Sequence, residues 1–177
     1  DFATEIQCQL ADNVLRALTT LLEGAISEKS NGLKFDNETL EKICEPLFTL
    51  LYRIMFALFA ESRGILDTDN KTYYEKFSMK KIIHDPEFGI LKWERNRADF
   101  DISDDYVWWK RLQRLFHLIE KGSRSQDIKP EDLNMQAYGG SLFDSDIHEE
   151  LENWKFNNKT ILDTIKQLVR VQDKEKN

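Results

Sequence analysis

The chain has 177 residues, of which 41% are hydrophobic and 32% charged, a composition that suits a globular domain and excludes a disordered one. Its net charge of -7 argues against strong binding of nucleic acid by the whole surface, because phosphate neutralisation supplies most of that affinity. Only 7 Gly and 3 Pro interrupt the sequence, so few, long helices are expected.

The first predicted helix covers about residues 2–26. Apolar residues recur there at intervals of three and four, which is the pattern of an amphipathic helix, and the sequence around Gly32 breaks it.

The cysteines, Cys8 and Cys44, form neither a ligand pair nor a disulfide framework. Both are therefore expected to be small, buried hydrophobic residues in a reducing compartment.

The second predicted helix is the most apolar segment of the chain. Asp36 or Asn37 can cap its first turn, and Pro46 would kink it or mark a new first turn. Nearly every residue that follows is apolar, so residues 46–63 are predicted to form a central helix buried on all sides. Gly64 is expected to end this helix in a left-handed conformation.

Arg53 is a charged residue in the middle of this apolar helix. It prevents an uninterrupted apolar run long enough to cross a bilayer, so no membrane is expected. A buried guanidinium persists only where it is paired or reaches the surface. We therefore expect Arg53 to meet a carboxylate or several carbonyl groups, with Glu61 in the same network.

The second half of the chain predicts further helices and no convincing strand pair. Residues 86–103 and 123–140 show no helical period, and they are predicted to be irregular. Gly122 is expected to end the strong helix that reaches Glu120. The predicted N-cap residues of these helices are Ser78, Asp104 or Asp105, Asp144 or Ser145, and Asn157 or Asn158. The fold class is thus predicted to be all-α: one irregular multi-helix domain over residues 1–177.

Three groups of acidic residues could suggest chemistry. Residues 67–71 begin like a calcium loop but lack its later Gly and Glu, so a capped turn is the better interpretation. Residues 144–150 could supply metal ligands, yet acids in a first helical turn are also what the helix dipole favours, and we prefer that reading. Residues 127–129 imitate a nuclease tripeptide, but they lie in a loop. No catalytic residue and no metal site is predicted.

Two further features have both a structural and a functional interpretation. A set of basic residues recurs on or beside one face of the helix that follows residue 105, namely Lys110, Arg111, Arg114, Lys121 and Arg124. An ordinary solvated face is favoured over a DNA-backbone contact, given the acidic chain. The turn at Tyr138, Gly139 and Gly140 implies unusual dihedral angles or a close backbone approach.

Four blocks of sequence, taken in order, resemble a known family. They are residues 52–66, which include Arg53, Glu61, Arg63 and Gly64, then residues 74–79, 109–116 and 138–144. Together they resemble a region of large fused restriction–modification proteins that carry an adenine-specific DNA methyltransferase domain, such as type IIG enzymes and related phage-defence methyltransferases. The blocks fall within roughly residues 45–170.

The resemblance implies a non-catalytic helical connector. In that family the region lies between a nuclease-like part and the methyltransferase domain, which would be the partners of this chain together with DNA. The chain, from Asp1 to Asn177, is accordingly expected to be a fragment of a longer cytoplasmic protein. S-adenosylmethionine and Mg²⁺ would be cofactors of the parent protein, with none in this region. The alternative is a helical protein–protein interaction or dimerisation module that does not contact DNA.

Overall fold

The computed structural model describes residues 2–85, 89–90 and 106–173, and over these residues the protein is all-α, as predicted. The described residues contain no strand. Two short 3-10 turns, Lys29–Asn31 and Ser123–Gln126, accompany the helices. The α-helices are α1 (Phe2–Ser27), α2 (Asn37–Ser62), α3 (Lys71–Lys76), α4 (Met79–His84), α5 (Val107–Lys121), α6 (Glu149–Asn153) and α7 (Asn158–Asp173).

The first and last helices pack against each other in antiparallel directions. Asn31, just after α1, exchanges hydrogen bonds with the backbone of Lys155, at 2.9 and 2.7 Å. Further along, the Thr20 hydroxyl lies 3.1 Å from the Gln167 side-chain oxygen. The interface is apolar in its centre, with Ala17, Leu21, Ala25, Ile161, Leu162 and Ile165 all buried. The apolar stripe predicted for α1 is thus confirmed at Leu21 and Ala25, whereas Leu10, in the first part of the same stripe, is 41% exposed.

Gly24 lies where α1 packs tightly against Thr160 of α7. A Cβ atom at this position would lie only 2.3 Å from the Thr160 methyl group. Any larger residue would therefore push α7 away from α1. The sequence requirement at this point is set by helix packing and not by a turn.

α2 is one continuous helix of 26 residues. The Asp36 side chain accepts a hydrogen bond from the Thr39 backbone N–H at 2.8 Å, which confirms the predicted N-cap. Pro46 lies inside the helix and is buried, so the predicted restart at this residue is wrong. Apolar packing of Ile43 and Leu47, both buried, stabilises the turns around a residue that cannot donate its own hydrogen bond.

The end of α2 has the hydrogen bonds of a Schellman motif. The Gly64 N–H donates to the Glu61 carbonyl at 3.2 Å, and the Ile65 N–H donates to the Ala60 carbonyl at 2.9 Å. Gly64 has a φ of 69°, a region in which a side chain would be strained. The predicted left-handed end of the helix is therefore confirmed.

One face of α2 is open, contrary to the prediction that the helix is buried on all sides. Phe48, Tyr52 and Phe59 are 40%, 54% and 51% exposed, whereas Leu50, Leu51 and Ile54 are fully buried. Among the described residues, neighbouring helices bury one side of α2 and leave the other exposed, so an all-apolar sequence here does not mean all-round burial. By length and composition α2 could also cross a membrane, although half of its apolar window is buried in the fold.

Both cysteines are exposed, so the prediction that they are buried is wrong. Cys8 lies in the first part of α1, where Leu10 is also 41% exposed. Cys44 lies beside Glu45 on the solvent side of α2, whose core contacts come from Ile43 and Leu47. Position on the helix, not side-chain polarity, decides the burial of both residues.

The start of α5 is capped from another part of the chain. Its N-cap residue is Tyr106, which makes no capping bond with its side chain, so neither Asp104 nor Asp105 is the N-cap; both lie outside the described residues. Instead, the Asn158 side-chain oxygen accepts a hydrogen bond from the Trp108 backbone N–H at 3.0 Å. The first turn of α7 thereby fixes the first turn of α5.

The remaining predicted caps have mixed outcomes. Asn157 caps α7 by accepting the Thr160 N–H at 2.9 Å, as predicted. Asp144 accepts the N–H groups of Asp146 and Ile147, but these belong to a turn, and α6 begins only at Glu149. The predicted loop at residues 86–103 lies outside the described residues, apart from Gly89 and a buried Ile90.

Candidate functional site

Glu61 is the centre of a buried hydrogen-bond cluster. It is 5% exposed, and its carboxylate accepts four hydrogen bonds at 2.7–3.2 Å. The donors are the Tyr73 hydroxyl, the Ser78 hydroxyl and the backbone N–H groups of Met79 and Lys80. Burial, together with the charge of Glu61, raises the pKa of Tyr73, so its hydroxyl keeps its proton. Glu61 thus joins the end of α2 to the first turn of α4.

Arg111 of α5 binds backbone carbonyl groups at and just after the end of α3. Its guanidinium donates to the backbone carbonyls of Tyr74 at 2.8 Å, Glu75 at 2.9 Å and Ser78 at 3.2 Å. Carbonyl groups at the end of a helix lack partners within it and carry a partial negative charge. Arg111 therefore fixes α3 to α5 and is committed to the backbone.

Arg53 is almost completely buried, with 1% of its surface exposed. It donates to the Leu142 carbonyl at 2.7 Å and to the Asp144 carbonyl at 3.4 Å. The guanidinium carbon also lies 5.6 and 5.7 Å from the ring centres of Phe116 and Phe143. Burial lowers the pKa of Arg53, and nearby carboxylates oppose this effect. The prediction that carbonyl groups meet this guanidinium is confirmed.

Glu61 does not belong to the Arg53 network, so the predicted link between the two residues is wrong. Their spacing of eight residues places both on the buried side of α2, but each meets a different segment of the chain. Arg53 binds the loop after residue 140, and Glu61 binds the start of α4. One helix therefore anchors two separate segments through two buried charges.

The turn at residues 138–140 is held by its backbone. The Tyr138 N–H donates to the Ile119 carbonyl at 2.8 Å, and Gly140 has a φ of 125°, which confirms the predicted unusual dihedral angle. No such feature occurs at Gly139, where a Cβ atom would meet open space. The turn delivers Phe143 to the core, where its ring lies 5.2 Å from that of Phe56.

A half-buried ion pair, His117 with Glu152, joins α5 to α6 and was not predicted. The imidazole Nε2 lies 2.7 Å from a carboxylate oxygen. The hydrogen bond to Glu152 raises the pKa of His117 above its ordinary value of 6.5, and the same bond lowers the pKa of Glu152 below 4.5. No periodicity in the sequence relates residues so far apart.

This pair should add to stability only within a window of pH. Because the pKa of His117 is raised in the folded protein, its stabilisation of the fold is fully present below pH 6.5. This stabilisation is lost as the pH rises through the raised pKa. Because the pKa of Glu152 is lowered in the folded protein, its stabilisation of the fold is present above pH 4.5. This stabilisation is lost as the pH falls through the lowered pKa. The difference in unfolding free energy between the wild type and His117→Gln should therefore be largest between these values. Glu152→Gln should remove the same maximum, and a profile unchanged by both variants would contradict the coupling.

The predicted basic residues separate into two groups. Lys110, Arg114, Lys121 and Arg124 are exposed, whereas Arg111 is turned to the carbonyl groups of α3 and the loop after it. Lys121 and Arg124 line an open depression of about 320 Å³ beside residues 134–137. We call Lys110, Arg114, Lys121 and Arg124 the basic face; its contact with DNA stays a prediction.

Arg63, named with the first sequence block, has a local role. Its guanidinium carbon lies 5.4 Å from the centre of the Phe59 ring. The pair covers part of the exposed side of α2 near its end. No carboxylate or open site is involved in that contact.

An open cleft of about 500 Å³ lies between the α2–α3 connection and residues 133–138. Two polar groups at its wall are already used: Asn70 caps α3 by accepting the Tyr73 N–H at 2.9 Å, and the Tyr73 hydroxyl donates to Glu61. The described residues hold no group of three or more His, Cys, Asp or Glu side chains placed to bind a metal ion.

The four sequence blocks that carry the family resemblance meet in the fold. Arg53 in the first block binds the fourth, Glu61 in the first binds the second, and Arg111 in the third also binds the second.

Comparisons with known proteins assign the chain to no family. No family model, no curated protein and no solved structure matches it.

Proposed function

We propose that this chain is a non-catalytic helical connector of a DNA restriction–modification protein, which holds nuclease and adenine-methyltransferase modules in a fixed relation. The supporting observation is the bonding of three charged residues of the resembling blocks, the buried Arg53 and Glu61 and the half-buried Arg111. Each binds backbone groups of another segment, and none faces an open site. Such contacts fix positions, as a connector requires. S-adenosylmethionine and Mg²⁺ would be bound by the neighbouring modules.

The basic face is the part of the proposal that concerns DNA. Lys110, Arg114 and Lys121 recur at helical spacing over α5, which places their charges within about 16 Å at a rise of 1.5 Å per residue. Three phosphate contacts would give a slope of about -2.7 in log affinity against log salt. With a net charge of -7, binding should be weak, independent of sequence and measurable only at low salt.

Charge reversal tests this contact. Changing Lys110, Arg114 and Lys121 to Glu should abolish low-salt binding of duplex DNA in a fluorescence anisotropy titration. The matched control changes the exposed residues Lys29, Lys34 and Lys159 to Glu, which alters the net charge equally and should leave most of the binding and its salt slope in place. Equal losses in the two triple variants would reduce the basic face to ordinary solvated surface.

The second candidate is a helical protein–protein interaction module without DNA contact, which the exposed aromatic side of α2 favours. The reading frame that encodes the chain separates the two candidates. A connector requires adenine-methyltransferase motifs in the same polypeptide. A reading frame without them would exclude the connector and leave the interaction module.

A further inference from the structure

The open side of α2 has the spacing of a coiled-coil seam. Its residues alternate at intervals of three and four, the pattern by which two helices pack along a shared stripe. They are Glu45, Phe48, Tyr52, Met55, Phe59 and Ser62, all exposed or half-buried. We call Phe48, Tyr52, Met55 and Phe59 the α2 seam.

The α2 seam exposes apolar area in the unpartnered chain. A covered aromatic ring buries about 150–250 Å², so the open fractions of 40–54% leave roughly 60–135 Å² exposed on each of the three rings. The Phe48 and Tyr52 rings stack at 6.3 Å, and Arg63 covers the edge of the seam over Phe59. A contiguous exposed apolar stripe of this kind marks an interaction surface.

The charges at the two ends of the seam decide which helix fits it. Glu45 lies at the first end, beyond Phe48, and Arg63 lies at the other end, beyond Phe59. A second α2 in parallel would place its Glu45 beside the first Glu45. An antiparallel second α2 places Glu45 beside the partner's Arg63, and the helix dipoles also oppose favourably. The seam is therefore complementary to a reversed copy of itself.

We propose that two copies of the chain associate through α2 as an antiparallel pair with two-fold symmetry. Full overlap of the apolar residues fixes the register: Phe48 packs against the partner's Phe59, and Tyr52 packs against the partner's Met55. Glu45 then faces the partner's Ser62 and Arg63. One helix offers less than the roughly 800 Å² per subunit of a standard interface, so the dimer is weak and depends on concentration. The association is independent of the connector function and of DNA.

Sedimentation velocity tests the association on the whole chain. The wild type should shift from monomer to dimer as its concentration rises into the high micromolar range. Phe59→Asp should weaken the association at least tenfold, because it puts a charge into each half of the apolar contact. The matched control is Ile147→Asp, which changes a similarly exposed apolar residue outside α2 and should leave association unchanged. Circular dichroism confirms that both variants are folded. A wild type that stays monomeric throughout, or equal losses in the two variants, overturns the proposal.

A charge swap tests the direction of the pairing. Glu45→Arg and Arg63→Glu should each weaken the dimer, and the double variant should restore it. In a Cys8→Ser background, Cys44 gives a second readout. Antiparallel pairing sets Cys44 opposite the partner's residue 63, so the two thiols lie about 28 Å apart along the axis and cannot form a disulfide. Rapid oxidation to a Cys44-linked dimer, or a double variant as weak as the single ones, overturns the antiparallel register.

Discussion

Replacing Glu61 by glutamine is expected to lower the free energy of unfolding by about 2–4 kcal/mol. Each oxygen of the carboxylate accepts two hydrogen bonds, and one of the two comes from a backbone N–H group. A glutamine amide offers one acceptor oxygen and one donor nitrogen, so one backbone N–H group of α4 must face another donor. Urea denaturation followed by circular dichroism measures the loss.

Two variants serve as references for this result. Tyr73→Phe removes one of the four donors and should cost about 1 kcal/mol. Glu38→Gln changes an exposed glutamate at the start of α2 and should stay within about 0.5 kcal/mol of the wild type. If Glu61→Gln proved as mild as Glu38→Gln, the buried cluster would contribute nothing to stability.

Arg53→Ala should cost about 3–5 kcal/mol, because it empties the volume of a large buried side chain and removes its hydrogen bonds. The space lies between the Phe116 and Phe143 rings, which pack on the guanidinium. Arg53→Met fills much of that space but leaves the Leu142 carbonyl without its donor, so it should cost about 1–3 kcal/mol. Neutral carbonyl partners make this loss smaller than that of breaking a buried ion pair.

The difference between the two Arg53 variants separates packing from hydrogen bonding. Thermal unfolding of both, under the same conditions, gives the two contributions directly. Exposed Arg124 provides the control, since Arg124→Met should change stability by no more than about 0.5 kcal/mol. Equal losses for Arg53→Met and Arg53→Ala would show that the volume of the side chain is unimportant.

The helices themselves were largely predictable from the sequence. The apolar period of α1 and α7, the cap at Asp36 and the left-handed Gly64 are local features, because each depends on residues within one or two turns. The predicted carbonyl partners of Arg53 also follow from a local argument, since a buried cation in an apolar helix must find acceptors. Local patterns of this kind fix both the fold class and the ends of the main helices.

Properties that depend on the arrangement of the helices could not be read in the same way. The sequence of α2 is apolar on every side, so it does not show which face will be exposed. The face with Tyr52 stays exposed because of how many helices pack around α2. Glu61 and His117 bind residues of other helices. No periodic pattern in the sequence relates residues that lie so far apart along the chain. The cap of α5 by Asn158 crosses 50 residues for the same reason.

The pairing of α1 with α7 has a consequence for synthesis on the ribosome. The contact between Thr20 and Gln167 spans 147 residues, which take roughly 7–30 s to add at about 5–20 residues per second. Throughout that time the apolar side of α1, including Leu21, has no α7 to cover it. The nascent chain therefore exposes an amphipathic helix that can bind a chaperone until α7 emerges and covers it.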